Sequence, residues 1–390
     1  MSATVVSLGC RLNLSESEEM RAMLAASDDL VVINSCAVTA QAVRQTRQTI
    51  RRARRSNPDA RLLVTGCAAE VERDMIAAMP EVDGLVRNQA KLDPRAWNVP
   101  AATQPQQTRY SRAFVQVQNG CDHACTFCII PKGRGASRSL TISQVLRNVG
   151  RQIDNGVLEI VLTGVDLTSW GADLDQSPGL GALAAAILDS YPKLARLRLS
   201  SIDGAEVDQQ LFELLAHEPR MMPHVHLSLQ SGDDMILKRM KRRHTRAQAI
   251  DLANRLRTHR PGIAFGADII AGFPTETDAM HGRNLSIIDE MNIVHGHIFP
   301  FSSRSGTPAS RMPALEPALV KERAAELRDL VSRRRQSWLQ QQVGTSLNVL
   351  TESDGTGHAM NFAPVSLPAG TPAKQIITMV PTRVTAGYLA

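Results

Sequence analysis

The chain has 390 residues, 43% of them hydrophobic, and a formal net charge of +6. That combination supports two or three domains with real cores and excludes a disordered or low-complexity chain. No run of 18 apolar residues occurs and the start, MSATVVSLGCRLN, lacks a secretory pattern. The expectation is therefore a cytoplasmic chain with no membrane partner, inclined mildly towards a polyanion. Six cysteines in such a chain point to metal or redox chemistry rather than to a disulfide framework.

In chain order, residues 1–97 carry a short internal repeat. TVVSLGC ends in Cys10, LVVINSC in Cys36 and RLLVTGC in Cys67. Each β-rich run is followed by a helical pattern, over 14–26, 39–56 and 69–79. Strand–helix alternation predicts a parallel-sheet α/β domain, with all three cysteines just past strand carboxyl ends, the edge where such sheets place ligands. Residues 98–112, NVPAATQPQQTRYSR, have no apolar period and read as a linker.

From 113 to 342 the alternation resumes. FVQVQN, EIVLTG, ARLRLSS, HVHLSLQ, AFGADIIAG and HGHIFPF read as strands, with helical patterns at 141–155, 206–217, 246–259 and 277–290 and a long charged helix over 315–342. Six such units predict an open or partial β/α barrel, with its chemistry at the strand carboxyl ends. Residues 343–390 change to short β-rich runs between turn residues, a small all-β module of the barrel kind.

NGCDHACTFCIIPKGRG, residues 119–135, follows the first barrel strand and holds Cys121, Cys125 and Cys128. Structural zinc takes four ligands, usually from paired knuckles. No second CxxC exists, and His123 is too close in sequence to close a tetrahedron. A cubane 4Fe–4S cluster held by three thiolates keeps one iron open. The CxxxCxxC spacing after a first barrel strand resembles the radical S-adenosylmethionine (SAM) superfamily, in which that iron chelates the methionine part of SAM. The resemblance implies SAM contacts at Phe127, at Gly164 and Val165 in LTGVDLTSWG, at Ser200 in RLSSID and at Gln230 in SLQSG. DIIAGFPTET at 268–277 resembles another segment of the same kind.

A cysteine triple on an N-terminal α/β domain, a radical SAM triple and a terminal β-module together resemble the methylthiotransferases over almost the whole chain. The family's GC-x-x-N, N-x-C and TGC stand here as Gly9-Cys10-Arg11-Leu12-Asn13, Asn34-Ser35-Cys36 and Thr65-Gly66-Cys67. The resemblance implies that Cys10, Cys36 and Cys67 hold a second 4Fe–4S cluster, and that 343–390 is a TRAM-like RNA-binding module. It also implies an anticodon stem-loop of tRNA as partner, with an external one-electron reductant and a sulfur donor. Within the family, the stretch from Asn34 to Cys67, LRLSSID and LKRMKRRHT resemble the branch acting on threonylcarbamoyladenosine in tRNA. The branches acting on isopentenyladenosine or on a ribosomal-protein aspartate are the alternatives, and an iron–sulfur RNA-binding scaffold is the non-enzymatic one.

Two basic stretches are candidate RNA contacts. Arg44, Arg47, Arg51 and Arg54 follow helical spacing, so one face is an arginine stripe, opposite a smaller face with Thr46 and Ile50. KRMKRRHTR adds Arg242 and Arg243, either of which would suit the carboxylate of a threonylcarbamoyl group. By contrast 343–390 is electrically neutral, with Lys374 and Arg383 against Glu352 and Asp354. Its Phe362 and Tyr388 are base-stacking candidates or core residues.

Overall fold

The computed structural model describes residues 3–99 and 110–390, so most of the 98–112 linker lies outside the described residues. Two compact units are present. One comprises Met1–Gln107, Gln118–Arg138 and Ser302–Ser310, and the other Thr108–Val117, Ser139–Phe301 and Arg311–Ala390. The cysteine loop at 121–128 thus belongs to the same unit as the N-terminal cysteines, which its sequence position after the first barrel strand did not suggest.

The first unit begins with β1 (Thr4–Ser7), α1 (Arg11–Met23), β2 (Leu30–Ser35), α2 (Ala40–Ser56), β3 (Arg61–Gly66), α3 (Cys67–Val71), α4 (Arg73–Ala77) and β4 (Gly84–Leu85). The four strands form a parallel sheet in sequence order. Val31, Ile33, Leu62 and Val64 are buried with Val43 and Ile50 of α2, while Val5, Val32 and Leu63 join a second cluster with Met20 and Leu24. Strands buried on both faces explain the near-continuous β-branched and aliphatic runs. The Thr39 side chain caps α2 by accepting from the Ala42 N–H.

β5 (Arg112–Gln116) belongs to the second unit. The chain then returns to the first through β6 (Gln118–Asn119) and α5 (Ile130–Arg134), before β7 (Arg138–Ser139). The second unit continues with α6 (Ile142–Asp154), β8 (Glu159–Thr163), α7 (Leu180–Ser190), β9 (Arg196–Leu199), β10 (Ser201–Ile202), α8 (Gln209–His217), β11 (His224–Gln230), α9 (Asp234–Arg239), α10 (Arg246–His259), β12 (Ala264–Ala271), α11 (Asp278–Glu290), β13 (Ile293–Pro300) and α12 (Pro317–Gln340). β5, β8 and β9 pair in parallel, and so do β10 to β13. β9 and β10 are separated by Ser200 alone. Six parallel strand positions result, in the order read from the sequence.

One face of these strands packs against the helices: Leu197, Leu199, Val225, Leu227, Phe265, Ala267 and Ile269 share a single apolar cluster with helix residues such as Leu183, Leu211 and Ile287. α12 lies on β13, where a side chain at Gly296 would meet Val331 within 2.6 Å. The opposite, inner face is polar. At its amino-terminal end Glu159 accepts from Arg198 at 2.8 Å and lies 3.5 Å from Arg196.

The C-terminal strands β14 (Leu347–Thr351), β15 (Thr356–Ala359), β16 (Pro364–Ser366), β17 (Ile376–Met379), β18 (Val384–Thr385) and β19 (Tyr388–Leu389) form one six-stranded sheet in the order β17–β14–β15–β16–β19–β18. The expected barrel is not closed: the order has two ends, and its last two strands have two residues each, too short to curl back onto the first. The sheet closes the amino-terminal end of the parallel strands instead. Arg196 donates to the Asn348 and His358 carbonyls, and Arg198 to that of Met360. Phe362 stacks on His358 with ring centroids 4.6 Å apart and lies beneath the Arg198 guanidinium, so it belongs to this floor. Among the described residues no helix is long and apolar enough to cross a membrane.

Candidate functional site

In the first unit each N-terminal cysteine occupies a strand-to-helix turn. Cys10 precedes the first residue of α1, Cys36 follows β2 directly, and Cys67 opens α3. Gly9 and Gly66 have φ of +90° and +92°. A side chain at Gly9 would come within 2.7 Å of the Cys36 sulfur, and one at Gly66 within 2.4 Å of the Ser35 carbonyl. Glycine is thus required for both backbone angle and space beside the thiols.

The asparagines of the two motifs tie these turns together. Asn13 Nδ2 donates to the Leu8 and Ser35 carbonyls, and Asn34 Nδ2 donates to the Asn13 carbonyl and to Ser17 Oγ. Cys36 and Cys67 are buried and Cys10 is exposed. Burial pushes the Cys36 thiol up to about 11, with the neighbouring Cys67 and Cys10 adding to the rise. A thiol whose ionisation is opposed by burial and by two neighbouring thiols suits a group that supplies positive charge and displaces protons.

Below them is a buried ionic cluster that the sequence did not reveal. Lys91 Nζ lies 2.6 Å from Glu16 Oε2 and donates to Asn34 Oδ1 at 3.1 Å. Arg134, from the second cysteine loop, pairs with the same Glu16. Burial opposes the charge of Glu16, yet Lys91 and Arg134 hold its carboxyl below the usual range. Two cations against one carboxylate leave net positive charge beside the thiols. Asn88 Nδ2 stands 3.9 Å from the Cys67 sulfur and donates to the Gly133 carbonyl at 2.6 Å.

In the loop itself, backbone N–H groups point at sulfur. His123 N donates to Cys121 Sγ and Ile130 N to Cys128 Sγ, both at 3.4 Å. Such bonds favour the thiolate and tune iron–sulfur centres. The Cys125 carbonyl accepts from Cys128 N, the Thr126 carbonyl from Ala309 N, and the Gly306 carbonyl from Lys132 Nζ, so the 302–310 segment braces the loop. Among the described residues neither cysteine triple brings three sulfurs within 4.8 Å of one another. A single tetrahedral zinc, with Zn–S of about 2.3 Å, would need about 3.8 Å. Phe127 is half-buried in this loop.

In the second unit Gly164 and Val165 follow β8, Ser200 follows β9, and Gln230 ends β11. All stand at the carboxyl edge of the parallel strands and are partly exposed. Gln230 has φ of +69° beside a register shift in the β11–β12 pairing.

Arg242 and Arg243 each face a carboxylate of their own unit. Arg242, its side chain 8% exposed, donates to Asp203 at 2.9 Å and to the Ser228 carbonyl at 2.7 Å. Arg243 pairs with Glu206 at 2.6 Å. Asp203, last residue of the RLSSID stretch, organises this corner and is held well below the usual carboxylate range despite burial, by His244, Arg242 and the Ala205 N–H. In the arginine stripe Arg44 and Arg51 are exposed and Arg47 is half-buried. Arg54 is spent on structure, donating to the Glu81, Pro58 and Ala60 carbonyls and to Asp83.

Residues 115–283 match the model of the Radical SAM superfamily, and residues 2–87 that of the Uncharacterized protein family UPF0004. The threonylcarbamoyladenosine tRNA methylthiotransferase MtaB of Rickettsia prowazekii is 43% identical over 403 residues, covering 99% of this chain and 96% of that protein. The chain belongs to the MtaB methylthiotransferase family. Another MtaB, from Bacillus subtilis, is 33% identical over 78% of this chain and 74% of its own length. The tRNA-2-methylthio-N(6)-dimethylallyladenosine synthase of Roseobacter denitrificans is 31% identical, over 89% of this chain and 87% of that protein. Among solved structures, the radical SAM methyltransferase TsrM from Kitasatospora setae, with cobalamin and a 4Fe–4S cluster bound, superposes with a TM-score of 0.53. It has 14% identity and covers 87% of this chain and 69% of that chain, a likeness of fold alone. The methylthiotransferase uses SAM and 4Fe–4S clusters, as radical SAM proteins do.

Proposed function

We propose that this chain methylthiolates carbon 2 of N6-threonylcarbamoyladenosine at tRNA position 37, beside the anticodon. The observation that carries the reading is 43% identity to a threonylcarbamoyladenosine tRNA methylthiotransferase over nearly the whole of both chains.

Cys121, Cys125 and Cys128 would hold one 4Fe–4S cluster and Cys10, Cys36 and Cys67 the other. The converging thiols, the N–H···S bonds and the net positive Glu16–Lys91–Arg134 cluster are what a thiolate-bound, electron-rich group requires. When bound, the clusters and SAM supply radical and sulfur chemistry, which an unactivated ring C–H bond needs because no side chain can remove its hydrogen as a proton. The chain's own residues bind and orient. Phe127, Gly164, Val165, Ser200 and Gln230 would contact SAM. Arg44, Arg47 and Arg51 would contact phosphates of the anticodon stem-loop. The C-terminal sheet stands where the family has its TRAM module; with two basic residues against two acidic ones, it braces the parallel strands rather than gripping RNA. An external one-electron reductant and a sulfur donor complete the reaction, which takes place in the cytoplasm where tRNA is modified.

The test incubates reconstituted enzyme, SAM and reductant with two anticodon stem-loops, one carrying threonylcarbamoyladenosine and one isopentenyladenosine. The expected result is methylthiolation of the first. Modification of the second alone would overturn the assignment, and modification of neither would favour the ribosomal-protein branch.

A further inference from the structure

The inner face of β11, β12 and β13 carries a cluster to which no role has been given. His226 Nε2 lies 3.1 Å from Asp268 Oδ1, and His297 Nδ1 lies 3.1 Å from the same oxygen. The two imidazole rings are 4.7 Å apart. Gly266 makes room for His226, since a side chain there would come within 2.3 Å of its Nδ1. Asp268 is thus the shared anchor of two histidines, and its carboxyl is held well below the usual range by both of them, against the effect of burial.

The geometry fixes what each ring presents. Asp268 takes the Nδ1 side of His297, so Nε2 points away from the anchor. The His297 side chain is 60% exposed, whereas that of His226 is 10% exposed. Two residues on, towards the carboxyl edge and on the same face of the strand, Phe299 is 40% exposed. Its ring meets that of His297 edge-on with centroids 6.4 Å apart. An exposed aromatic ring with a polar receptor two strand residues below it, roughly 6.6 Å along the strand, matches a purine bearing a polar N6 arm. In threonylcarbamoyladenosine the arm's carboxylate lies at a comparable distance from the ring.

We propose that Phe299 stacks on the target adenine and that His297, oriented by Asp268 and His226, receives the carboxylate of the threonylcarbamoyl arm. The assignment rests on the function proposed above. It replaces Arg242 and Arg243 as the carboxylate's partner, since the first is committed to Asp203 and the second to Glu206. With Asp268 at Nδ1 and the substrate carboxylate at Nε2, the His297 ring bridges the two carboxylates through its two nitrogens. An apolar isopentenyl arm would desolvate the same groups without pairing them, the situation in which polar sites reject an analogue most strongly.

The test measures binding of three anticodon stem-loops to the reconstituted enzyme. One carries threonylcarbamoyladenosine, one its methyl ester and one plain adenosine. The wild type should bind the free acid about tenfold or more tightly than the ester, the range of a charge-assisted hydrogen bond. His297→Ala, and His297→Gln as a bulk-preserving control, should bring that ratio close to one with little change for the ester. Asp268→Asn should lower the ratio partway, and Phe299→Ala should weaken all three RNAs alike. Equal weakening of acid and ester by both His297 variants would overturn the proposal. So would a wild-type preference abolished by chelation, because the three donor atoms lie within 4.8 Å of one another and would then be holding a metal ion. Failure of the function itself looks different: the wild type would methylthiolate the isopentenyl RNA, whatever the variants bind.

Discussion

Arg134 donates to both carboxylate oxygens of Glu16, at 2.8 and 3.0 Å. One residue comes from the radical SAM cysteine loop and the other from the first helix of the chain, 118 positions away. Both are almost fully buried. The pair joins the two cysteine-bearing segments through a fork that an ammonium group cannot reproduce.

Truncating one partner of a buried pair leaves an uncompensated charge, at a cost of roughly 3–5 kcal/mol. Because Lys91 still faces Glu16, Arg134→Ala should fall near the lower end of that range. Urea unfolding of the cluster-free protein measures the loss. Arg134→Lys should recover only part of it, and an Arg134→Ala protein as stable as the wild type would show that the cluster does not hold the unit together.

Two cysteine triples should mean two clusters. Anaerobic reconstitution should give about eight irons per wild-type chain and about four in each triple-alanine variant, from four irons per cubane. Cys125→Ala should abolish reductive SAM cleavage. Cys36→Ala should retain part of it and lose methylthiolation. A wild-type content of about four irons would refute the two-cluster reading.

Glu159 gives the second unit a predictable response to acid. Burial opposes its charge, but Arg198, with Arg112 and Arg196, holds its carboxyl down from the ordinary 4.5 to about 2. A carboxyl that is more acidic when folded stabilises the fold above its unfolded value. That contribution, on the order of 3 kcal/mol, is fully present above pH 4.5 and is lost as pH falls from there towards about 2. Thermal unfolding between pH 6 and pH 3 should show a smaller drop in Glu159→Gln than in the wild type, from a lower starting point.

The exposed part of the arginine helix should carry salt-dependent RNA affinity. Arg44→Ala with Arg51→Ala should reduce the log–log salt slope of tRNA binding by roughly 0.7 to 0.9 for each phosphate that is no longer neutralised. Arg54→Ala should instead lower stability, because its guanidinium closes carbonyls around the end of α2. An unchanged slope in the double variant would assign that face to solvent.

The cysteine triples, the strand-to-helix turns that carry them and the six parallel strand positions were legible in the sequence. β-Rich runs ending in Gly-Cys or Ser-Cys are local signals, set by strand propensity and by what fits beside a sulfur. α7 escaped that reading, because LGALAAAILDS is apolar on most sides and shows no polar face, as expected for a helix with Leu180, Leu183, Ala184, Ile187 and Leu188 all buried. Other features depended on pairings between distant positions. Arg134 and Glu16, or His226, Asp268 and His297, are ordinary polar residues in sequence; only the parallel register of β11, β12 and β13 sets the last three against one another. Likewise, Arg242 read as a spare cation until the fold set Asp203 against it. Local periodicity determines which elements form, whereas the tertiary structure decides which charges find partners, because a buried ion must be matched by whatever side chain the fold delivers.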